Sequence, residues 1–408
     1  MFIASILHFS FLVFNFSMSK NTSVGIDIGS YQIKVVVSEA VHESKKTALK
    51  IIGVGYAESR GLRHGYIMNQ EEVAVSLRSA IGQAEKASGV KIRKAFVAIG
   101  GIGLSGVVSN GTIIISRADY EITDLDVRKV TEASLTEIPK TVSINRKVMH
   151  TVPIQFKVDG KAVYGKPVGM KGTKLEVKTF FITCLENHFN DLVETLGETG
   201  VEVEDVVAAP IAASLVTLSK TQKIAGCVLA NIGSETVSIA VFENSIPVSI
   251  EVFPFGGNDI TNDIALGLKI PLEEAEDLKR GAITGTTYPK KKLDEIIAAR
   301  LSDIFELIEA HLKKIGRNGL LPAGIVLTGG SSELQTIEDL AKAALRLPSR
   351  IASVNFGDNK TQVKDASWSV AFGLCILGLS EEDQGLNGIK IAKKAGGDVL
   401  GWLKQFLP

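Results

Sequence analysis

The sequence has little cysteine: Cys184, Cys227 and Cys375 are the three in 408 residues. They lie far apart in apolar surroundings, without the paired spacing of a metal site or a disulfide framework, and are expected as buried thiols in a reducing compartment. An excess of charge of either sign is also missing. Forty-five basic residues balance forty-five acidic ones, so there is no global positive field to hold nucleic acid, and nucleic acid is not expected as a partner. A long apolar run occurs at the N-terminus, "MFIASILHFSFLVFNFS". It falls short of the ~20 residues of a membrane-spanning helix, carries no charge before Lys20 and has no clear small-residue cleavage site. Within the apolar N-terminal extension 1–18 we expect Met18 to be the natural start and the stretch upstream of it to be a start-site error or dispensable, with an N-terminal anchor as the alternative. The remainder, in a chain 45% apolar and 22% charged, is long enough to bury two or more globular cores.

What the chain does have is a repeated turn. "DIGSYQIKVVV" runs from Asp27 to Val37 and "NIGSETVSIAV" from Asn231 to Val241. Each copy has an apolar strand before a tight Gly-Ser turn and another strand after it, the pattern of a β-hairpin at the centre of a domain. A glycine and a hydroxyl in such a turn present backbone N–H groups and a side-chain donor that suit a phosphate oxygen. The acid before the first turn, Asp27, could hold magnesium through water. Either hairpin alone reads as ordinary turn geometry. Two of them half a chain apart point to two similar α/β domains with a cleft between. A third segment fits that cleft: "AGIVLTGGSSELQTIEDLAKAAL" passes from a strand through Gly329-Gly330 into a helix expected to be capped near Ser331 or Ser332.

The C-terminus carries an independent feature. Residues 380–397 are polar and glycine-containing, without an apolar period, and are expected to be a flexible linker. In residues 398–408, "DVLGWLKQFLP", a helical projection places Val399, Leu400, Trp402, Leu403, Phe406 and Leu407 in one arc of roughly 160°, with Lys404 opposite and Asp398 as cap. Such a helix is too short to cross a bilayer but suits its interface. Lys390, Lys393, Lys394 and Lys404 would each add about 1 kcal/mol near anionic lipid. The competing reading is a terminal helix docked on its own core.

The three turns, in this order, resemble those of the actin-like ATPase superfamily. The resemblance implies an α/β, actin-like two-domain fold: two ribonuclease-H-like domains flanking a nucleotide cleft, with ATP and Mg2+ as cofactors. It assigns the phosphates to Gly29, Ser30, Tyr31, Gly233, Ser234, Gly256 and Gly257, and the metal to Asp27, with Asn231 a weak second. The adenosine falls to Gly329, Gly330 and Ser331 and to the trio Glu276, Lys279 and Arg280, which could equally be a solvated helix face. "APIAASLVTL" and "SVAFGLCILG" look like the two connector helices, rich in small residues as close helix crossing requires.

The segments "ITDLDVRKVTEAS", "HTVPIQFKVDGKAVYGKPVGMKGTKLEVKTFFIT" and "GGNDITNDIALGLKIPLEEAEDLKRG" resemble the bacterial cell-division family FtsA over nearly the whole chain from Met18. On that resemblance domain 1 comprises residues 19–102 and 176–208, interrupted at 103–175 by an inserted small α+β subdomain. Domain 2 comprises 209–254 and 321–366 around a small subdomain at 255–320, and 367–379 form the returning connector. From the residues themselves, the insert should hold a helix capped at Thr123 and then short strands broken at Asp159-Gly160, Pro167 and Gly169. The family implies a polymer that ties FtsZ, bound at the small subdomain, to the inner face of the cell membrane at the division site. The expected partners are FtsZ, other copies of the chain, anionic membrane lipid and other division proteins.

The second turn departs from the family pattern, which begins with aspartate and continues through several glycines. Asn231 cannot accept a proton as a general base and brings no charge to magnesium; Glu235 would place a carboxylate near the phosphates unless it turns away, and Ser238 replaces a frequent second acid. ATP binding with slow or no hydrolysis is therefore expected. Two other readings stay open: an actin-fold scaffold of pilus or secretion assembly resembling PilM, and a sugar kinase, which the missing carboxylate base disfavours.

Overall fold

Each copy of the repeated turn joins two antiparallel strands, and a five-stranded sheet grows around each. The computed structural model describes residues 22–43, 46–282, 288–353 and 365–385. In the first half, β1 (Thr22–Ile28), β2 (Gln32–Glu43), β3 (Lys46–Glu58) and the short pair β4 (Leu62–Arg63) and β5 (Tyr66–Ile67) lead to helix α1 (Gln70–Ser88). Then come β6 (Lys94–Ile99), β7 (Ser105–Ile114), α2 (Asp124–Thr136), α3 (Lys140–Ser143), β8 (Arg146–Val158), β9 (Lys161–Val163), β10 (Lys174–Leu185), α4 (Glu186–Gly197), β11 (Glu202–Ala208) and α5 (Ala209–Thr217). The second half has α6 (Lys220–Ala225), β12 (Cys227–Ile232), β13 (Val237–Glu243), β14 (Ile246–Phe253), α7 (Gly257–Leu268), α8 (Leu272–Lys279) and α9 (Lys290–Lys314). It closes with β15 (Ile325–Thr328), α10 (Ile337–Leu345), β16 (Ser349–Ile351) and α11 (Ser369–Gly385).

The strand orders β11-β6-β1-β2-β3 and β14-β13-β12-β15-β16 are one topology built twice. In each, a three-stranded antiparallel meander is extended by two parallel strands, β6 and β11 beside β1, β15 and β16 beside β12. Parallel strands need crossover connections, so helices cover the sheets and the central strands read as continuous apolar runs. Val35 and Val37 and, in the second sheet, Val228, Leu229 and Ala230 are fully buried.

The connectors α5 and α11 pack together between the sheets. A Cβ at Gly373 would collide with the Ala212 carbonyl oxygen, and one at Gly25 with that of Ala371. Small residues at these places let α11 lie on both α5 and β1. Helix α11 continues to Gly385, so the linker expected from residue 380 begins as helical backbone. Residues 386–408, including Val399, Leu400, Trp402, Leu403, Lys404, Phe406 and Leu407, lie outside the described residues, as do 1–21. Among the described residues no helix is long and apolar enough to cross a membrane.

Between β6 and α4 sits the inserted layer, a sheet of order β7-β10-β8-β9 with α2 on one face. Helix α2 starts at Thr123 with a capping box closed by Asp126, and the Asp159-Gly160 turn takes positive φ at both residues. The strands are longer than expected: β8 has 13 residues and β10 has 12. Strand β10 pairs with β7 and β8 past the expected boundary at 175, so the insert extends to Leu185. The breaks fall at the expected places: Asp159-Gly160 separates β8 from β9, and Pro167 and Gly169 lie in the loop before β10.

Candidate functional site

The three glycine turns meet at one cleft between the two sheets, a cavity of about 1580 Å³. Its walls include Asp27, Gly29, Ser30 and Tyr31 from the first turn, Asn231, Gly233 and Ser234 from the second, and Gly329, Gly330 and Ser331 from the third. The second and third turns touch: Ser331 Oγ donates to the Gly233 carbonyl at 3.3 Å, and a Cβ at Gly329 would strike Asn231 Oδ1. Gly329 also has φ +90°, a conformation that side chains resist. The helix after this turn starts later than expected. Ser331 and Ser332 belong to a single 3-10 turn at Gly330–Glu333, and α10 begins only at Ile337, because the backbone turns extended at Leu334 between them.

The N-terminus of α7 fixes the second turn from behind. Gly257 N–H donates to the Gly233 carbonyl at 2.9 Å and Asn258 N–H to the Ser234 carbonyl at 2.7 Å. Gly256 is not among the residues lining the cavity; its N–H donates to Asp259 Oδ2 at 2.7 Å, and a Cβ there would strike the Ser234 carbonyl. Gly257 does line it, against Ser331 Oγ.

On the opposite wall Asp27 pairs across the β1–β2 ladder with Lys34. Burial pushes the Asp27 carboxyl up to about 6, against the pull of Lys34, and burial likewise draws the Lys34 ammonium down, against the pull of Asp27 and Asp365. Lys34 Nζ donates to the Ser367 carbonyl at 3.0 Å and Ser367 Oγ at 2.9 Å, just before α11. The sequence reading missed Lys34, Asp365 and Ser367. The signal for Lys34 was present: a lone charge in an otherwise apolar strand, "IKVVV".

The trio on α8 is not a solvated face. The Lys279 side chain is 9% exposed and pairs with Glu276, while its Nζ also donates to the Gly257 carbonyl at 3.0 Å and Thr261 Oγ1 at 2.8 Å. Burial works against the Glu276 charge, yet hydrogen bonds from Lys279 and Thr261 hold its carboxyl below the usual range. Arg280 donates to Glu276 Oε1 at 2.7 Å, and its guanidinium lies 5.2 Å from the Tyr31 ring across the cleft. Glu235, which also lines the cavity, reaches the other domain, where its Oε2 accepts from His64 N–H at 2.6 Å.

The arrangement provides backbone N–H groups, hydroxyls and, on facing walls, a half-buried Asp27 with the buried Lys34 across the strand ladder from it. The wall opposite Asp27 presents an amide at Asn231 and a hydroxyl at Ser238 where a second carboxylate could stand. Among the described residues no three or more histidine, cysteine or acidic side chains converge on a metal position.

Residues 228–373 match the family model "Cell division protein FtsA", and residues 101–183 match "SHS2 domain inserted in FTSA", which coincides with the β7 to β10 layer. Among solved structures, a PilM-PilN type IV pilus biogenesis complex is similar at TM-score 0.65 and 17% identity, covering 88% of this chain and 98% of that one. MreB5 of Spiroplasma citri bound to ADP is similar at TM-score 0.52 and 13% identity, covering 90% and 99%. These likenesses concern the fold, which is that of the actin-like ATPases. The curated cell division protein FtsA of Bacillus subtilis is 34% identical over 374 residues, covering 86% of this chain and 82% of that protein. Its counterpart in Borreliella burgdorferi is 32% identical over 398 residues, covering 91% and 94%. With the duplicated sheets, the three turns on one cleft and the inserted layer in place, the chain belongs to the FtsA family of cell-division proteins.

Proposed function

We propose that this protein binds ATP with Mg2+ in the cleft, hydrolyses it slowly or not at all, polymerises, and tethers an FtsZ ring to the inner face of the cytoplasmic membrane through residues 398–408. The observation that carries the nucleotide reading is the convergence of three glycine turns on Asp27 and Lys34, with an amide instead of an acid facing them. The residues fit such a ligand. Gly330 has nothing within 4 Å of a built Cβ, and Gly100 has only Ala209 at 3.8 Å, so polyphosphate and base can approach the backbone there. Asp27 would hold magnesium on the protein side, where the ion would offset phosphate charge, and Lys34 would balance the remainder. Asn231 and Ser238 take no proton from a water, which removes the usual general base and supports slow turnover.

Bound ATP then acts as a structural switch that closes the cleft and favours the polymer. The membrane part rests on the amphipathic pattern of the tail, the FtsZ and self-assembly parts on family membership. The test is flotation with anionic liposomes, with and without ATP, of the chain from Met18 and of one ending at Gly397. Flotation that needs the last eleven residues and rises with ATP is expected. If both chains stay in solution, the tail is a docking helix or a partner peptide and the tether is withdrawn.

A further inference from the structure

Glu235 occupies the second phosphate turn, yet it is engaged elsewhere. Its Oε2 accepts from His64 N–H at 2.6 Å, and its own carbonyl accepts from His64 Nδ1 at 3.1 Å. A carbonyl oxygen only accepts, so the imidazole carries its proton on Nδ1. His64 lies in the β4–β5 loop of the first domain, and Glu235 between β12 and β13 of the second. Both partners are held from behind. His64 takes φ +49°, a left-handed backbone, and the next N–H, of Gly65, donates to Ser30 Oγ at 3.1 Å, tying the loop to the first turn. On the other side, the bonds from Gly257 and Asn258 N–H clamp the turn that carries Glu235. The connectors α5 and α11 join the domains at the base of the cleft, where Ala209 and Val370 line it. The His64–Glu235 pair therefore bridges the two walls at a second place, and the Tyr31–Arg280 contact adds a third.

We infer that Glu235 is a cross-cleft latch: its carboxylate clamps the first domain's His64 loop, and the cleft opens for ligand exchange only when this bond breaks. Glu235 is thus a positioning residue. The exchange part of this inference rests on the nucleotide reading above; the latch itself does not.

Two substitutions separate the latch from the charge. Glu235→Gln removes the charge but keeps an acceptor for the His64 N–H, whereas Glu235→Ala removes both. Amide hydrogen exchange at His64, in the nucleotide-free full chain, should be about tenfold faster in E235A than in the unmodified protein, as expected for loss of a charged hydrogen bond, and intermediate in E235Q. Release of a fluorescent ATP analogue in stopped flow should be about fivefold faster from E235A than from E235Q, since both lack the charge and only one lacks the acceptor. Equal His64 exchange in E235A and the unmodified protein overturns the latch, and equal release from the two variants overturns its role in exchange. If the unmodified protein binds no nucleotide, the ATP reading fails and the role in nucleotide exchange falls with it, while amide exchange still decides whether the latch exists. Should E235A fail to fold, E235Q against the unmodified protein decides by the same amide: unchanged exchange there overturns the inference.

Discussion

A carboxyl group that loses water without gaining a full counter-charge keeps its proton to higher pH, and Asp27 is in that position. Its folded value of about 6 exceeds the 3.8 of an ordinary aspartate. The folded state therefore holds this proton more tightly, and the favourable contribution, complete below about pH 3.8, disappears as pH rises through 6. Asp27→Asn should raise stability at pH 8 by on the order of 2 kcal/mol and leave it nearly unchanged at pH 4. Urea midpoints of both proteins at the two pH values test this; equal differences at both would mean that burial does not set the Asp27 proton affinity. To hold magnesium as proposed, the same residue would have to be ionised, so on that reading affinity for Mg-ATP should fall as pH drops through 6. Asp27 and the glycine turns were legible in the sequence because turns are local. Lys34 was passed over, and its role follows from Ser367, 333 positions away, which no local pattern reveals.

Helices that cross closely need a residue without a side chain at the crossing, and Gly373 fills that place between α11 and α5. Gly373→Ala would press a methyl group into the Ala212 carbonyl and force the connectors apart. A loss of about 2 kcal/mol or more in denaturation is expected, because backbone cannot yield as a flexible side chain does. An unchanged midpoint would show that the crossing is looser than described. The inserted layer has its own fastening. Arg146 Nε donates to Thr183 Oγ1 at 2.9 Å, and its Nη2 to the Gly103 carbonyl and to Ser105 Oγ, each at 2.6 Å. These bonds join β7, β8 and β10 where the insert leaves domain 1. Arg146→Ala should cost about 2–3 kcal/mol and speed proteolysis within residues 103–185 relative to the rest of the chain. Uniform proteolysis would place the fastening elsewhere. Helix α2 and its Thr123 cap were readable from sequence, since a capping box spans only four residues. The lengths of β8 and β10 were not, because a strand ends where its partner does.

Across the whole molecule, the proposed tether depends on number: one amphipathic segment of eleven residues, if it binds as proposed, would hold a membrane weakly, whereas a row of them on a polymer would hold it firmly. Liposome binding should therefore rise steeply with protein concentration in the presence of ATP. Flotation over a concentration series reads this directly, and a simple one-site isotherm would remove polymerisation from the account. The same scale shows how the halves are joined: one continuous core runs from Val24 and Ile26 in the first sheet through Ile211 and Ala212 of α5 to Leu229 and Phe242 in the second. Motion between the domains has to pivot on these packed connectors.

The sequence by itself determined the duplication, the three turns and their order, the capped helix of the insert and the amphipathic pattern of the tail. Each depends on residues within a few positions of one another, where backbone geometry and side-chain period act directly. Tertiary structure alone decided that Lys279 is buried in a network instead of solvated, that Gly256 stands behind the cleft, and that Glu235 reaches His64. Those outcomes depend on which surfaces meet when two sheets close on a shared pair of helices, and that meeting is set by packing across the whole chain.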